Sequence, residues 1–167
     1  MSTIPTDDDL QALAAQVGDR LHARHACLAT AESCTGGWVA KVLTDVPGSS
    51  SWFERGFVTY SNEAKQDMLG VPGELLHQYG AVSEATVRAM AEGALDNSRA
   101  DHSLAITGIA GPGGGTTEKP VGYVWVAWAG GGRPTESRSC RFKGERADVR
   151  RQSVVTALNG LLARLPD

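Results

Sequence analysis

Apolar residues near the start of the chain recur at helical spacing. Leu10, Leu13, Ala14, Val17 and Leu21 fall on one face, which predicts a helix over about residues 7–24. Asp7, Asp8 and Asp9 suit the positive end of that helix, and residues 1–6 before it read as a flexible tail. His22 and His25 stand near its other end. No acid or cysteine pattern accompanies them, so they read as cations near the helix dipole rather than metal ligands. The period then changes. Ala26 to Ala31 is a short apolar run that predicts a buried strand, followed by a helix from about Gly36 to Leu43 or Asp45. Val46-Pro47-Gly48 and three serines form a loop, and Phe53 to Tyr60 carries strand formers.

Caps divide the middle of the chain. Ser61 or Asn62 caps a short helix containing Lys65 and Leu69, and Pro72 opens another that ends before Gly80. Ser83 caps a helix from Glu84 to about Ser98, with Val87, Met90, Ala91, Ala94 and Leu95 as its core stripe. In the strand His102 to Thr107, Leu104 and Ile106 alternate with polar neighbours. A glycine-rich loop spans Gly108 to Pro120. Strands over Val121–Ala129 and about Thr135–Phe142 flank a triple-glycine turn, and the last helix runs from about Glu145 to Leu162. Helices alternate with strands early and a hairpin comes late. This order predicts an α/β fold: a three-layer α/β/α sandwich with a mixed sheet, built as one domain over 7–167.

Composition narrows the function classes. Of the 167 residues, 41% are hydrophobic and 21% charged, a globular balance with room for a full core. A net charge of −3 is a poor footprint for a nucleic-acid binder. The longest apolar run, Tyr123 to Ala129, is too short to span a bilayer, and the N-terminus has no signal-peptide core. Three cysteines, Cys27, Cys34 and Cys140, lack disulfide or zinc spacing and suggest reduced thiols in a cytoplasmic protein.

The candidate chemistry centres on Ala31-Glu32-Ser33-Cys34-Thr35-Gly36-Gly37, a strand-to-helix turn with two hydroxyls and a thiol. Helix starts expose unpaired N–H groups, so such a turn suits an anion or oxyanion. Three further segments are expected to meet it at the strand ends: Tyr60 to Lys65, Thr107 to Pro120 and Phe142 to Arg146. The glycine loop fits neither a P-loop, since Gly114 stands where lysine is required, nor a dinucleotide fingerprint. Its backbone suits a phosphate, and equally a connector between strands. Ser33 reads either as a nucleophile or as a helix cap. No histidine lies in the four segments, which leaves Lys65 as the available base if burial or a nearby cation such as Arg146 lowers its pKa. Arg146 also suits an anionic substrate. Cys34 is the rival nucleophile, or else a small packing residue. Glu32 is suited to orient a lysine, bind a substrate hydroxyl or complement the helix end. No metal site emerges.

Taken together, these motifs resemble a known family. Glu32-Ser33-Cys34-Thr35-Gly36-Gly37, Val58-Thr59-Tyr60-Ser61-Asn62 with Lys65, Gly80-Ala81-Val82-Ser83, Ile106 to Pro112 with Lys119-Pro120-Val121-Gly122, and Phe142 to Arg146 are similar to the CinA C-terminal domain family. Its stand-alone form is the PncC-type nicotinamide mononucleotide deamidase. The resemblance implies hydrolysis of nicotinamide mononucleotide to nicotinate mononucleotide and ammonia, in pyridine nucleotide salvage. By position, it implies Ser33 as nucleophile, Lys65 as base, and Tyr60, Thr107 and Arg146 as residues lining the site. Thr35, Gly36 and Gly111 are expected to contact substrate, with backbone N–H groups near Thr35 to Gly37 as oxyanion donors. No cofactor, nucleic acid or membrane is expected, and a homo-oligomer is. The competing expectation is a nucleotide-binding, competence-associated interaction module with little catalysis.

Overall fold

The computed structural model describes residues 3–167. The chain orders itself as α1 (Asp7–Ala23), β1 (Leu28–Glu32), α2 (Trp38–Thr44), β2 (Phe53–Val58), α3 (Asn62–Leu69), α4 (Gly73–Tyr79), α5 (Glu84–Asp96), β3 (His102–Gly108), β4 (Tyr123–Gly130), β5 (Arg133–Arg141) and α6 (Arg146–Arg164). Side-chain caps set several starts. Ser61 accepts from Ala64 N–H, Ser83 from Thr86 N–H, and Thr6 forms a capping box with Asp9. Thr6 is thus part of the helix entrance rather than of a free tail, and residues 1–2 of the expected tail lie outside the described residues. Helix α2 begins at Trp38 rather than Gly36, because Gly37 takes a left-handed φ of +103° that a helix interior forbids.

The five strands form one mixed sheet in the order β2-β1-β3-β4-β5. β1 runs parallel to both β2 and β3, whereas β3–β4 and β4–β5 are antiparallel. The two sheet faces are unlike. One presents Leu28, Leu104, Ile106, Val124, Val126 and Trp128 to α1, α2 and α6. The other presents Ala29, Ala31, Ala105, Ala127 and Ala129 to α3, α4 and α5. An alanine face lets α5 lie close to the sheet, and Gly93 extends this economy of volume outward: a Cβ there would sit 2.0 Å from the Leu69 carbonyl oxygen. The result is the three-layer α/β/α arrangement that the alternation of elements predicts. β3 departs from the half-polar strand its sequence suggests, because both of its faces are covered. Ser103 and Thr107 are buried, and each hydroxyl is satisfied by a backbone carbonyl, that of Ala91 at 2.6 Å and of Ala81 at 2.8 Å.

This topology brings the four chemistry-bearing segments to one edge. β1, β2, β3 and β5 all point the same way, so the loops that follow them emerge together. β1 lies between β2 and β3, which puts the Ser33 turn in the middle of the group. The loop after β1 leads to α2 on one face and the loop after β2 leads to α3 on the other. Their divergence opens a crevice at the strand ends, where α/β folds hold ligands. No helix among the described residues is long and apolar enough to cross a membrane.

Candidate active site

A cavity of about 270 Å³ occupies this crevice. Ser33, Tyr60, Lys65, Thr107, Gly111 and Arg146 line it, together with Cys34, Ala81, Val82 and the glycine loop. Lys65 projects from the first turns of α3 and is 1% exposed. Its Nζ lies 3.0 Å from Ser33 Oγ and donates to the carbonyls of Thr59 at 2.8 Å and Tyr60 at 3.2 Å. As an ammonium it has three N–H donors for these three oxygens; once neutral, two N–H groups still serve the carbonyls and the lone pair is free to accept from the Ser33 hydroxyl. Burial pushes the Lys65 pKa below its ordinary 10.5, which favours that neutral form. Burial, rather than the charge of Arg146, is therefore what makes this lysine suited to accept a proton.

Arg146 opens α6 and closes the mouth of the cavity. Its guanidinium donates to the Gly111 carbonyl at 2.7 Å and to Tyr60 Oη at 3.2 Å, tying the glycine loop to the segment after β2. Lys119 anchors the far end of the same loop through a 2.6 Å bond to the Tyr79 carbonyl. A second hollow, of about 760 Å³, adjoins the cavity and shares Ala110 and Arg146 with it. Among the described residues, no group of three or more His, Cys, Asp or Glu side chains is placed to hold a metal ion.

Thr35 and Gly36 do not line the cavity, although both stand in the Ser33 turn. Thr35 is fully buried and its hydroxyl donates to Glu32 at 2.6 Å. Gly36 faces a different surface hollow, with Trp38, Lys41 and Arg150. Its N–H is occupied by the Ser33 carbonyl at 3.0 Å. The turn changes direction within these residues, so Ser33 and Cys34 face the cavity while Thr35 and Gly36 border a different hollow. Glu32 complements the helix end: its carboxylate also accepts from the N–H groups of Val39 at 2.9 Å and Ala40 at 3.1 Å, fixing the start of α2.

Cys34 is buried, and desolvation pushes its thiol up to about 12. A thiol so raised holds almost no thiolate at neutral pH, so Ser33 is the better-armed nucleophile of the pair. Ala81 and Val82, from the Gly80-Ala81-Val82-Ser83 motif, also line the cavity, and Arg150 belongs to the neighbourhood although no sequence signal singled it out. Arg150 lies one helical turn beyond Arg146 and donates to the carbonyls of Cys34 at 3.0 Å and Thr35 at 3.1 Å.

Known proteins resemble this chain over most of its length. The profile described as the CinA C-terminal domain matches residues 10–165. A nicotinamide-nucleotide amidohydrolase PncC of Escherichia coli (strain K12) is 59% identical over 157 residues, covering 93% of this chain and 94% of that protein. A protein of the same name from Pseudomonas putida is 51% identical over 93% of this chain and 96% of its own length. The crystal structure of the competence/damage inducible protein CihA from Agrobacterium tumefaciens superposes with a TM-score of 0.91 at 46% identity, covering 98% of each chain. The chain belongs to the CinA C-terminal domain family.

Proposed function

We propose that this protein is an amidohydrolase that deamidates nicotinamide mononucleotide, giving nicotinate mononucleotide and ammonia within pyridine nucleotide salvage. The observation that carries the reading is the 3.0 Å contact between buried Lys65 Nζ and Ser33 Oγ inside the cavity. The names of the close relatives supply the substrate.

In this reading neutral Lys65 accepts the Ser33 hydroxyl proton as Oγ forms a bond to the carboxamide carbon. The carbonyl π electrons move onto oxygen. Ser33 N–H is bonded to the Ile106 carbonyl and Gly36 N–H to the Ser33 carbonyl, both at 3.0 Å. The N–H of Cys34, which lines the cavity, meets no backbone carbonyl among the described residues, and it is the proposed oxyanion donor. As the intermediate collapses, the C–N bond breaks and the Lys65 ammonium protonates the departing nitrogen, which leaves as ammonia. Water then adds to the Ser33 ester, Lys65 takes its proton, and that proton returns to Ser33 Oγ as the C–O bond breaks. Tyr60, Thr107, Arg146 and the loop at Gly111 hold the nucleotide, with the phosphate on Arg146 or on the backbone of the glycine loop.

A purely binding module has no use for a buried lysine amine set against a buried serine hydroxyl, and that contact favours an enzyme. The test is ammonia release by the purified protein, with nicotinamide mononucleotide and free nicotinamide compared. Release from the nucleotide, with free nicotinamide a much poorer substrate, supports the reading. Tight binding of the nucleotide with no ammonia overturns it in favour of the interaction module.

A further inference from the structure

Arg150 makes an arrangement that the amide chemistry does not itself require. It rises from α6 and reaches back under the turn that carries Ser33. Nε donates to the Cys34 carbonyl at 3.0 Å and Nη2 donates to the Thr35 carbonyl at 3.1 Å. Two successive peptide units thus turn their carbonyls toward one guanidinium. The plane of that guanidinium is held in turn by Trp38, whose ring centroid lies 5.5 Å from its central carbon. Arg151 approaches the same ring at 4.9 Å but its guanidinium bonds Asp7 rather than the carbonyls of the turn.

We propose that Arg150 is a positioning residue for the amidase reaction: its clamp on the Cys34 and Thr35 carbonyls sets the peptides that follow Ser33. The inference rests on the reading of Ser33 as nucleophile. Cys34 lines the cavity, and its N–H and its carbonyl flank one α-carbon. Fixing the carbonyl on Arg150 restricts the backbone rotation that would swing the Cys34 N–H and the neighbouring Ser33 out of register. Such positioning matters most as negative charge develops on the substrate oxygen, so it acts on the chemical step rather than on substrate binding. The spacing on α6 gives the helix two tasks one turn apart, with Arg146 at the cavity mouth and Arg150 behind the nucleophile turn.

The experiment compares Arg150→Met, Arg150→Lys and the control Arg151→Met, using kcat and KM for ammonia release from nicotinamide mononucleotide. A fluorophosphonate probe measures in parallel how fast Ser33 is labelled, by mass, without the amide substrate. Arg150→Met is expected to lower kcat by about 10²-fold, the scale of a small displacement of reacting groups, at little-changed KM and with slower labelling. Arg150→Lys keeps the charge but presents a single head that does not span both carbonyls in one plane, and it restores only part of kcat. Arg151→Met stays native. Native kcat in Arg150→Met overturns the inference, as does a raised KM at native kcat, which would make Arg150 a substrate-binding group. If Arg150→Met does not melt cooperatively, Arg150→Lys decides: reduced kcat at native KM supports the inference and native kcat overturns it. A native protein that neither turns over the nucleotide nor labels at Ser33 overturns the reading of the site and this inference with it. A native protein that does both while Arg150→Met matches it overturns this inference alone.

Discussion

Replacing Lys65 by methionine keeps a long apolar stem and removes the amine. The structural cost falls on two carbonyls. Those of Thr59 and Tyr60 lose bonds of 2.8 and 3.2 Å, and Thr59 is fully buried. An unsatisfied buried acceptor costs about 1–3 kcal/mol, offset in part because a buried amine no longer has to be desolvated. The net change in stability is expected to stay within about 2 kcal/mol, and the variant folds. The chemical cost is larger. Loss of a general base removes roughly 10²–10⁴ in rate, about 3–5 kcal/mol of barrier. The assay is ammonia release from nicotinamide mononucleotide across pH. Lys65 acts only when neutral, so native kcat/KM rises with pH through a midpoint below 10.5, the ordinary lysine value, because burial lowers it. In Lys65→Met that limb is absent. Lys65→Arg is equally inactive, since the guanidinium stays charged. Stability carries the same signature. Between the lowered folded pKa and 10.5 the unfolded chain binds more protons at this site, so unfolding free energy rises with pH there, and Lys65→Met loses that contribution. A Lys65→Met protein that keeps both a near-native rate and the rising limb would refute Lys65 as the base.

Two further substitutions separate the roles of neighbouring residues. Cys34→Ala is expected to keep most of the native kcat and lose about 1 kcal/mol of stability for its small buried side chain, and native Cys34 should resist iodoacetamide at neutral pH because its thiol is raised to about 12. An inactive but stably folded Cys34→Ala protein would move the nucleophile to the thiol. Glu32→Gln keeps one acceptor oxygen, which can serve the Thr35 hydroxyl and the Val39 N–H, but its N–H₂ then faces the Ala40 N–H where a carboxylate oxygen now accepts, and the charge at the helix start is lost. It is expected to cost about 1–3 kcal/mol in urea unfolding and to lower kcat by loosening the Ser33 turn, whereas native stability would contradict the capping role.

Much of this architecture was legible because local chemistry and tertiary structure agree. Ser61 and Ser83 cap where their hydroxyls predict, and the period of α1 and α5 names the faces they bury. The convergence of Ser33, Lys65, Thr107 and Arg146 on one cavity follows from strands that share a direction, which alternating elements foreshadow. The direction of each residue within the turn was not legible. Thr35 and Gly36 sit two and three positions after Ser33, yet one points to Glu32 and the other to a separate surface. The backbone path through the left-handed Gly36 and Gly37 decides that. The Lys65 shift depends on burial by residues far away in sequence, so the sequence offered Arg146 as an equal cause. Arg150 went unread because its partners are main-chain carbonyls some 115 residues away, and a carbonyl leaves no trace in residue type.

The central claim is that Ser33 performs amide hydrolysis on nicotinamide mononucleotide. Ammonia release by native protein and by Ser33→Ala, prepared alike and shown by melting to be equally folded, tests it most directly. The account predicts stoichiometric ammonia and nicotinate mononucleotide from the native protein, and a loss of roughly 10³-fold or more in the variant. A Ser33→Ala protein that releases ammonia at the native rate would contradict it.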